Sequence, residues 1–284
     1  MPPATLPTPD PPTSPDPPQK TLKTHPHTPT LHPMTRPWLV TGLTGTLAPH
    51  VAHALEAQGH TVTGWDRHTT PADDSPAAHA HLHTLNPQGI LHLALGAETW
   101  AATLAAHAHA TGIPFVHTST AMVYSAQAGG PHHPTQPAQP DSDYGHYKTR
   151  TEHAIRAANP HAVIARIGWQ IHPTATGNNM AQQLQAQHDQ NGVIRASRHW
   201  IPATSFMTDT AHALAALAQD GTTGTVHLDS NAHDALTFPE LVRGLARHLN
   251  RDWEVEETDD YTHDQRLVDD TTRLPGLRER LGLA

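Results

Sequence analysis

The stretch Thr41-Gly42-Leu43-Thr44-Gly45-Thr46-Leu47-Ala48, read as TGLTGTLA, decides the fold of this 284-residue chain. A short apolar run, PWLV at 37–40, precedes it, and PHVAHALEAQGH follows with apolar residues at helical spacing and Gly59 placed as a C-cap. TVTGWD then reads as a second strand that ends at Asp66. The order strand, glycine turn, helix, strand, acid predicts a cradle for a dinucleotide.

Each position in this turn has a physical reason. Gly42 permits a tight turn, Gly45 lets the backbone approach a pyrophosphate, and Ala48 lets the helix pack closely on the strand. The helix N-terminus then faces the anion. Asp66 is placed to accept hydrogen bonds from the adenosine ribose, which favours NAD, whereas the adjacent Arg67 favours NADP, so both cofactors stay open.

The rest of the first half alternates strand and helix signals. GILHLAL at 89–95 reads as a buried strand, AETWAATLAAHAHA at 97–110 as a helix ended by Gly112, and PFVHTSTAMVY from 114 as the next strand. Repeated alternation of this kind predicts an α/β fold with a doubly wound parallel sheet, whose ligands bind at the carboxyl ends of the strands.

A tyrosine and a lysine share one face of the next predicted helix, in DSDYGHYKTRTEHAI. Tyr144 and Lys148 are four residues apart, and the nearby ammonium is expected to lower the pKa of the phenol from about 10. Tyr144 could then exchange a proton with a carbonyl or alcohol oxygen, with Thr120 hydrogen-bonded to the same oxygen. A nicotinamide beside them would make the reaction a hydride transfer. Tyr147 is excluded from the pair because it does not share the face of Lys148.

From about residue 37 to its end the chain resembles the extended branch of the short-chain dehydrogenase/reductase superfamily, with TGLTGTLA similar to the family's TGxxGxxG. The resemblance implies a Rossmann-type sheet with a smaller C-terminal substrate-binding subdomain. It gives Thr120 the catalytic Ser/Thr place, makes Tyr144 the acid/base, and lets Lys148 also hold the nicotinamide ribose. The cofactor contacts that we expect are Thr41, Gly42, Thr44, Gly45, Thr46, Leu47, Asp66, Arg67, Ala94, Tyr144 and Lys148.

The second half is similar to one branch of that superfamily. AVIARIGWQIHPTATGNNM resembles the R-x-S-W…G-x-N-F stretch of dTDP-4-dehydrorhamnose reductases, which lines the sugar-nucleotide pocket in that family. The substrate contacts implied are Thr120, Arg166, Trp169, Asn178 and Asn179, with Trp169 against a deoxysugar. The alternative is that Trp169 belongs to the core and the Asn pair only caps a helix.

Two departures from the family concern the cofactor. Leu93-Ala94-Leu95-Gly96 replaces an N-A-A-type sequence, and residues 70–86 lack the usual Asp that contacts adenine. The main hypothesis is an NAD(P)-dependent oxidoreductase that reduces a nucleotide-linked 4-keto-6-deoxysugar. An epimerase of the same superfamily and a non-catalytic, NAD(P)-binding regulatory subunit are the alternatives.

Composition and patterning suggest three regions. Residues 1–36 form a Pro/Thr-rich tail that is expected to be disordered, because it has almost nothing to bury. Residues 37–170 form the predicted nucleotide-binding domain, and residues 171–284 form mainly a substrate-binding part interleaved with the sheet.

Several classes of partner are disfavoured. The chain has no cysteine, which excludes disulfides and thiolate chemistry. Its formal net charge of −9 without a basic patch argues against nucleic acid, and no apolar run approaches the roughly 18 residues of a membrane span. We expect a cytoplasmic protein with a small-molecule partner, and a homodimer is one possible assembly. The 27 histidines are scattered; His79, His81 and His83 would share a face only on a strand, and we expect no metal.

Overall fold

The structure is a computed structural model that describes residues 36–72, 75–174, 177–271 and 274–283. The disorder predicted for the tail therefore concerns residues outside the described ranges, Arg36 excepted. The strands are β1 Trp38–Thr41, β2 Val62–Gly64, β3 Gly89–His92, β4 Phe115–Thr120, β5 Val163–Ile167, β6 Trp169–Ile171, β7 Ile194–Ser197, β8 Trp200–Ile201, β9 Thr204–Phe206, β10 Gly224–Leu228, β11 Val255–Thr258 and β12 His263–Asp264. The helices are α1 Ala48–Ala57, α2 Ser75–Leu85, α3 Glu98–Thr111, α4 Asp143–Ala158, α5 Met180–Asn191, α6 Met207–Leu217, α7 Phe238–Leu249 and α8 Leu277–Leu281.

Six strands form one sheet in the order β10-β5-β4-β3-β1-β2, and every neighbouring pair is parallel. The chain builds outward from β1 on one side to β2 and on the other side to β3, so the strand order reverses between β1 and β3. This is the doubly wound Rossmann-type arrangement that the glycine turn and the alternating elements predict. Ligands of such sheets bind beside the reversal, at the carboxyl ends of the strands.

Helices cover both faces of the sheet. Val51 and Leu55 of α1 pack with Leu214 of α6 on one face, and α2, α3 and α4 contribute buried apolar side chains to the other. Residues of β1, β3 and β4 are all buried, which explains the continuous apolar runs of β1 and β3, whereas β4 is apolar only at Phe115 and Val116 and continues with the buried polar residues 117–120.

The second half of the chain has a core of its own and also completes the sheet. The helices α5, α7 and α8 enclose this core together with the parallel pairs β6–β9 and β7–β11, and β8 pairs with β12. Between these elements the chain returns to the large sheet through α6 and β10. The described residues belong to one compact unit. The boundary predicted near residue 170 stays a prediction.

The histidine-rich segment HAHLH lies on a helix, α2, and not on a strand. Residues two apart do not share a helix face, so the strand geometry considered for His79, His81 and His83 does not apply. Within the described ranges, no cluster of three or more His, Asp or Glu side chains is arranged to hold a metal ion. No helix in those ranges is long and apolar enough to cross a bilayer.

Candidate active site

A cleft of about 590 Å³ opens at the carboxyl ends of β1, β3 and β4, beside the reversal of strand order. Its walls are the glycine turn, the turn after β3, the end of β4 with the start of α4, and the segment from β6 to α5. The cleft brings together the following predicted site residues: Gly42, Gly45, Thr46, Leu47, Thr120, Tyr144, Lys148, Trp169 and Asn178. The predicted residues that lie outside its walls are Thr41, Thr44, Asp66, Arg67, Ala94, Arg166 and Asn179.

The glycine turn has the geometry of a cradle. Gly42 has a φ of +85°, and a Cβ on it would stand 3.1 Å from the backbone nitrogen of Ala94. The Gly45 amide donates to the Gly42 carbonyl at 2.7 Å, which closes the turn directly before α1. No side chain caps the N-terminus of α1, and its first turn holds no acidic residue. These features fit the pyrophosphate of a dinucleotide, because the positive end of the helix dipole attracts an anion and the glycines let it approach the backbone.

Thr41 acts behind the cleft wall. Its Oγ1 accepts hydrogen bonds from the amides of Leu93 and Ala94, both at 3.1 Å, and lies 2.9 Å from Nδ1 of His92. Burial lowers the pKa of His92 to about 3, so its ring is neutral at pH 7 and can accept the Thr41 proton. Thr41 therefore joins β1 to the turn after β3. Its predicted effect on the cofactor would be indirect, because Thr41 holds the turn that lines the cleft.

The residues predicted to meet the adenosine end lie at the tip of β2. Asp66 is exposed and its Oδ1 accepts from the His68 amide at 2.8 Å. Arg67 is also exposed, and its Nη1 donates to the Leu95 carbonyl at 3.2 Å. Thr44 is exposed as well, while Ala94 is buried against Gly42. Their contacts with a cofactor stay predictions.

The start of α4 is fixed against the end of β4. Ser142 caps the helix by accepting from the Gly145 amide at 3.1 Å. A Cβ at Gly145 would lie 2.2 Å from the Met122 carbonyl oxygen, so glycine allows this close approach. Thr120 Oγ1 accepts from the Met122 amide at 3.2 Å. This bond uses a lone pair of the oxygen and not the hydroxyl proton, so the Thr120 hydroxyl can still donate into the cleft.

Lys148 links the helix to the strand below Tyr144. Its Nζ donates to the Thr118 carbonyl at 2.9 Å and lies 5.9 Å from the centre of the Tyr144 ring. Lys148 is 2% exposed, whereas Tyr144 is 40% exposed and borders the open cleft. A buried ammonium thus lies beneath a phenol that a ligand can reach.

The ionisation of this pair differs in part from the prediction. Burial lowers the pKa of Lys148 to about 8, against the opposing effect of the Glu152 carboxylate. Burial, and secondly the Tyr147 phenol, raise the pKa of Tyr144 above its ordinary value, so the predicted lowering is wrong for this state of the protein. At 5.9 Å the ammonium is too far from the ring to outweigh burial. Tyr144 is consequently protonated at neutral pH, which is the state that a proton donor requires.

A buried network supports the strand that carries Thr120. Glu152, one turn beyond Lys148, accepts from Ser119 Oγ at 2.5 Å and from Arg166 Nε and Nη2 at 3.0 and 2.8 Å. Arg166 also donates to the Tyr124 hydroxyl at 2.5 Å. Burial alone would raise the pKa of Glu152, but the bonds from Arg166 and Ser119 prevail and hold it below the ordinary value.

This network gives Arg166 a structural partner in place of the predicted substrate. Its side chain is 3% exposed and does not border the cleft. Glu152 was missed in the sequence, although a signal was present: it lies four residues after Lys148 and eight after Tyr144, on the same helix face.

The far wall of the cleft is aromatic and amide-rich. Trp169 stacks on Trp200 with ring centres 6.4 Å apart, and Trp200 meets the edge of Tyr261 at 5.5 Å. Asn178 accepts a hydrogen bond from Gln183 at 3.0 Å, and both line the cleft. Trp169 is thus a cleft residue as the resemblance implied, and Trp200 and Tyr261 are neighbours that the sequence alone did not single out.

Asn179 is a helix cap. Its Oδ1 accepts from the amides of Ala181 and His172, and its Nδ2 donates to the His172 carbonyl at 2.7 Å. The side chain is 1% exposed. The structure therefore favours the cap alternative for Asn179, while Asn178 keeps a position from which it can meet a ligand.

The parallel sheet that reverses at the glycine turn, together with the helix of Tyr144 and Lys148, is the fold of extended short-chain dehydrogenases/reductases. Within that class, the chain belongs to the RmlD substrate binding domain family, whose sequence model matches residues 36–253.

The chain is similar to curated proteins of that kind. It is 26% identical over 161 residues to dTDP-4-dehydrorhamnose reductase of Mycobacterium tuberculosis, covering 55% of this chain and 49% of that protein. It is 27% identical over 157 residues to a probable low-salt glycan biosynthesis reductase of Haloferax volcanii, covering 46% and 52%. The matched part spans about half the length of these relatives.

Solved structures share the fold. A dTDP-4-dehydrorhamnose reductase from Bacillus anthracis, in complex with NADP, superposes with a TM-score of 0.75 at 15% identity, over 87% of this chain and 97% of that one. The enzyme WbmH of Bordetella bronchiseptica, in complex with NAD+, gives a TM-score of 0.67 at 19% identity, over 88% and 97%.

Proposed function

We propose that this chain is an NAD(P)-dependent reductase that acts on a nucleotide-linked sugar, with the carbonyl of a 4-keto-6-deoxysugar as its substrate. One observation carries the proposal: Thr120, Tyr144 and Lys148 border the same cleft as the glycine cradle. The relatives named as dTDP-4-dehydrorhamnose reductases support the choice of substrate. The solved structures in complex with NADP and with NAD+ support a dinucleotide without deciding between the two.

The residues divide the work of reduction. The glycine turn and the uncapped start of α1 would hold the pyrophosphate. A bound reduced nicotinamide would supply hydride to the carbonyl carbon. Tyr144, protonated at neutral pH, would give its proton to the carbonyl oxygen, and the Thr120 hydroxyl would donate to that oxygen as negative charge develops on it.

Lys148 would stabilise the phenolate that remains after proton transfer. Its ammonium already lies beneath the Tyr144 ring, and its bond to the Thr118 carbonyl keeps it there. Trp169 would place an apolar face against the deoxysugar, with Asn178 able to bond its hydroxyls or phosphates.

The direct test is oxidation of NADH or NADPH by the full chain with a panel of nucleotide-linked keto-sugars. Tyr144→Phe should lower kcat by roughly 10²- to 10⁴-fold, because it removes the proton donor and keeps the ring. Full activity in this variant would refute the role of Tyr144. Conversion of a sugar nucleotide without net oxidation, by protein that retains tightly bound cofactor, would instead identify an epimerase.

A regulatory subunit would bind dinucleotide and turn over none of the panel.

We also propose a cytoplasmic location and a homodimer, which cell fractionation and light scattering of the purified chain can test.

A further inference from the structure

The turn at residues 93–96 forms the cleft wall that faces the glycine turn. Leu93 and Leu95 line the cleft, and the backbone of Ala94 packs against Gly42. Leu95 is 54% exposed, so burial of its side chain does little to hold the turn in place. Leu93 and Ala94 pack against the core at the start of the turn, and hydrogen bonds to its backbone hold the exposed part at Leu95 and Gly96.

Three side chains supply those bonds. Thr41 accepts from the first two amides of the turn, and Arg67 donates to the Leu95 carbonyl from an exposed position. The third is Tyr147: its hydroxyl donates to the Gly96 carbonyl at 2.9 Å and accepts from the Gly96 amide at 3.1 Å. One phenol therefore satisfies both backbone groups of the residue that ends the turn.

Tyr147 also belongs to the helix of the reacting groups. It precedes Lys148 on α4, and the Lys148 ammonium lies 6.0 Å from the centre of its ring. The same helix thus carries the proton donor Tyr144 and, almost one turn further along, the tie to the 93–96 turn, and the two phenol rings are neighbours with centres 6.4 Å apart. The Tyr147 phenol links the helix of the reacting groups to the 93–96 wall of the cleft.

We propose that Tyr147 is a positioning residue for the dinucleotide. It acts by holding the 93–96 turn in the place beside the glycine turn where the cofactor would contact it. The inference rests on the proposed function. Tyr147 stays outside the pair of Tyr144 and Lys148 because it does not share the face of Lys148, yet it reaches the cofactor wall from the neighbouring face.

Tyr147→Phe tests this in the full chain, because it keeps the ring and removes both bonds to Gly96. Loss of the bonds should weaken binding of NADH or NADPH by roughly fivefold or more, the equivalent of about one net hydrogen bond. The matched control is Arg150→Gln, which breaks the exposed 2.7 Å ion pair between Arg150 and Glu98. That pair joins α4 to the first residue of α3, two residues beyond Gly96, without touching the turn, so the control should bind dinucleotide as the wild type does.

Dinucleotide titration followed by nicotinamide fluorescence, together with thermal unfolding of each protein, separates the outcomes. Weaker binding in Tyr147→Phe alone supports the inference. Equal binding in all three proteins, or equal weakening in both variants, overturns it and leaves the proposed function intact. A wild type that binds neither dinucleotide overturns both.

A second measurement does not depend on a variant. In the wild type the Gly96 amide should exchange with solvent slowly, because Tyr147 accepts from it. Exchange at the rate of an open loop would show that the tie is absent and would overturn the inference, even if Tyr147→Phe failed to fold.

Discussion

Replacing Glu152 with Gln removes the charge at the centre of the buried network and nearly keeps the volume of the side chain. Glu152 accepts three hydrogen bonds from Ser119 and Arg166, and the two charged residues are 1% and 3% exposed. With Gln, an amide NH₂ replaces one acceptor and faces the guanidinium, which is left buried without a counter-charge. Breaking a buried pair in this way costs about 3–5 kcal/mol.

That loss is large against the ~5–15 kcal/mol that stabilises a typical domain. For a chain of this size each kcal/mol shifts Tm by about 2–4 °C, so Glu152→Gln should melt roughly 10 °C below the wild type. Urea unfolding followed by circular dichroism measures the same difference as a lower midpoint at unchanged slope.

Glu98→Gln is the matched control. It makes the same chemical change in an exposed ion pair with Arg150, and such pairs contribute at most about 1 kcal/mol. The double variant Glu152→Gln/Arg166→Met should recover part of the loss, because it removes the unpaired charge as well. If Glu152→Gln and Glu98→Gln have the same Tm, the reasoning on the buried network is refuted.

The pH dependence gives the same network a second signature. The pKa of Glu152 is lower in the folded chain than its ordinary value. The contribution of the ionised Glu152 to the free energy of unfolding is therefore fully present above the unfolded pKa of about 4.3, and it is lost as the pH falls through the folded pKa. The gap in stability between wild type and Glu152→Gln should therefore narrow below about pH 4. A gap that stays constant into acid would contradict the assignment.

Two further changes concern single backbone features. Gly42→Ala should weaken dinucleotide binding about tenfold, because alanine is strained at φ +85° and its Cβ would press on Ala94. A dinucleotide titration that matches the wild type would exclude the glycine turn as the binding site. Asn179→Ala should lower stability by about 1–2 kcal/mol through loss of the cap of α5, with Asn179→Asp closer to the wild type; equal urea midpoints for all three proteins would contradict the cap.

The first half of the fold could be predicted because its signals are local. PWLV, TVTGWD and PFVHTSTAMVY gave strands that the structure contains as β1, β2 and β4, and Gly112 ends α3 in the left-handed conformation. Parallel strands with both faces covered favour continuous apolar runs such as WLV in β1, and glycine is the residue that a left-handed cap favours. The order of these signals was enough to identify the class.

The support of the site could not be predicted in the same way, because it depends on contacts between distant segments. The sequence shows that Arg166 is a cation but not whether its partner is a substrate or Glu152. Only the placement of α4 beside β5 in the folded chain shows that the partner is Glu152. The pKa of Tyr144 depends on a distance to Lys148 that helical spacing leaves open. Tyr147 was excluded by helix-face geometry, which describes its relation to Lys148 but not to the turn that α4 packs against.

The position of β10 at the edge of the large sheet affects how the chain can fold during synthesis. β10 pairs with β5 along its whole length, from Gly224 with Val163 to Leu228 with Ile167. While the ribosome makes α5 through α6, β5 is an unpaired edge with free backbone groups, and such edges promote association between nascent chains. β10 then becomes the edge strand in place of β5, so completion of the sheet depends on the C-terminal half, and a fragment cut near residue 170 would leave β5 unpaired on that side.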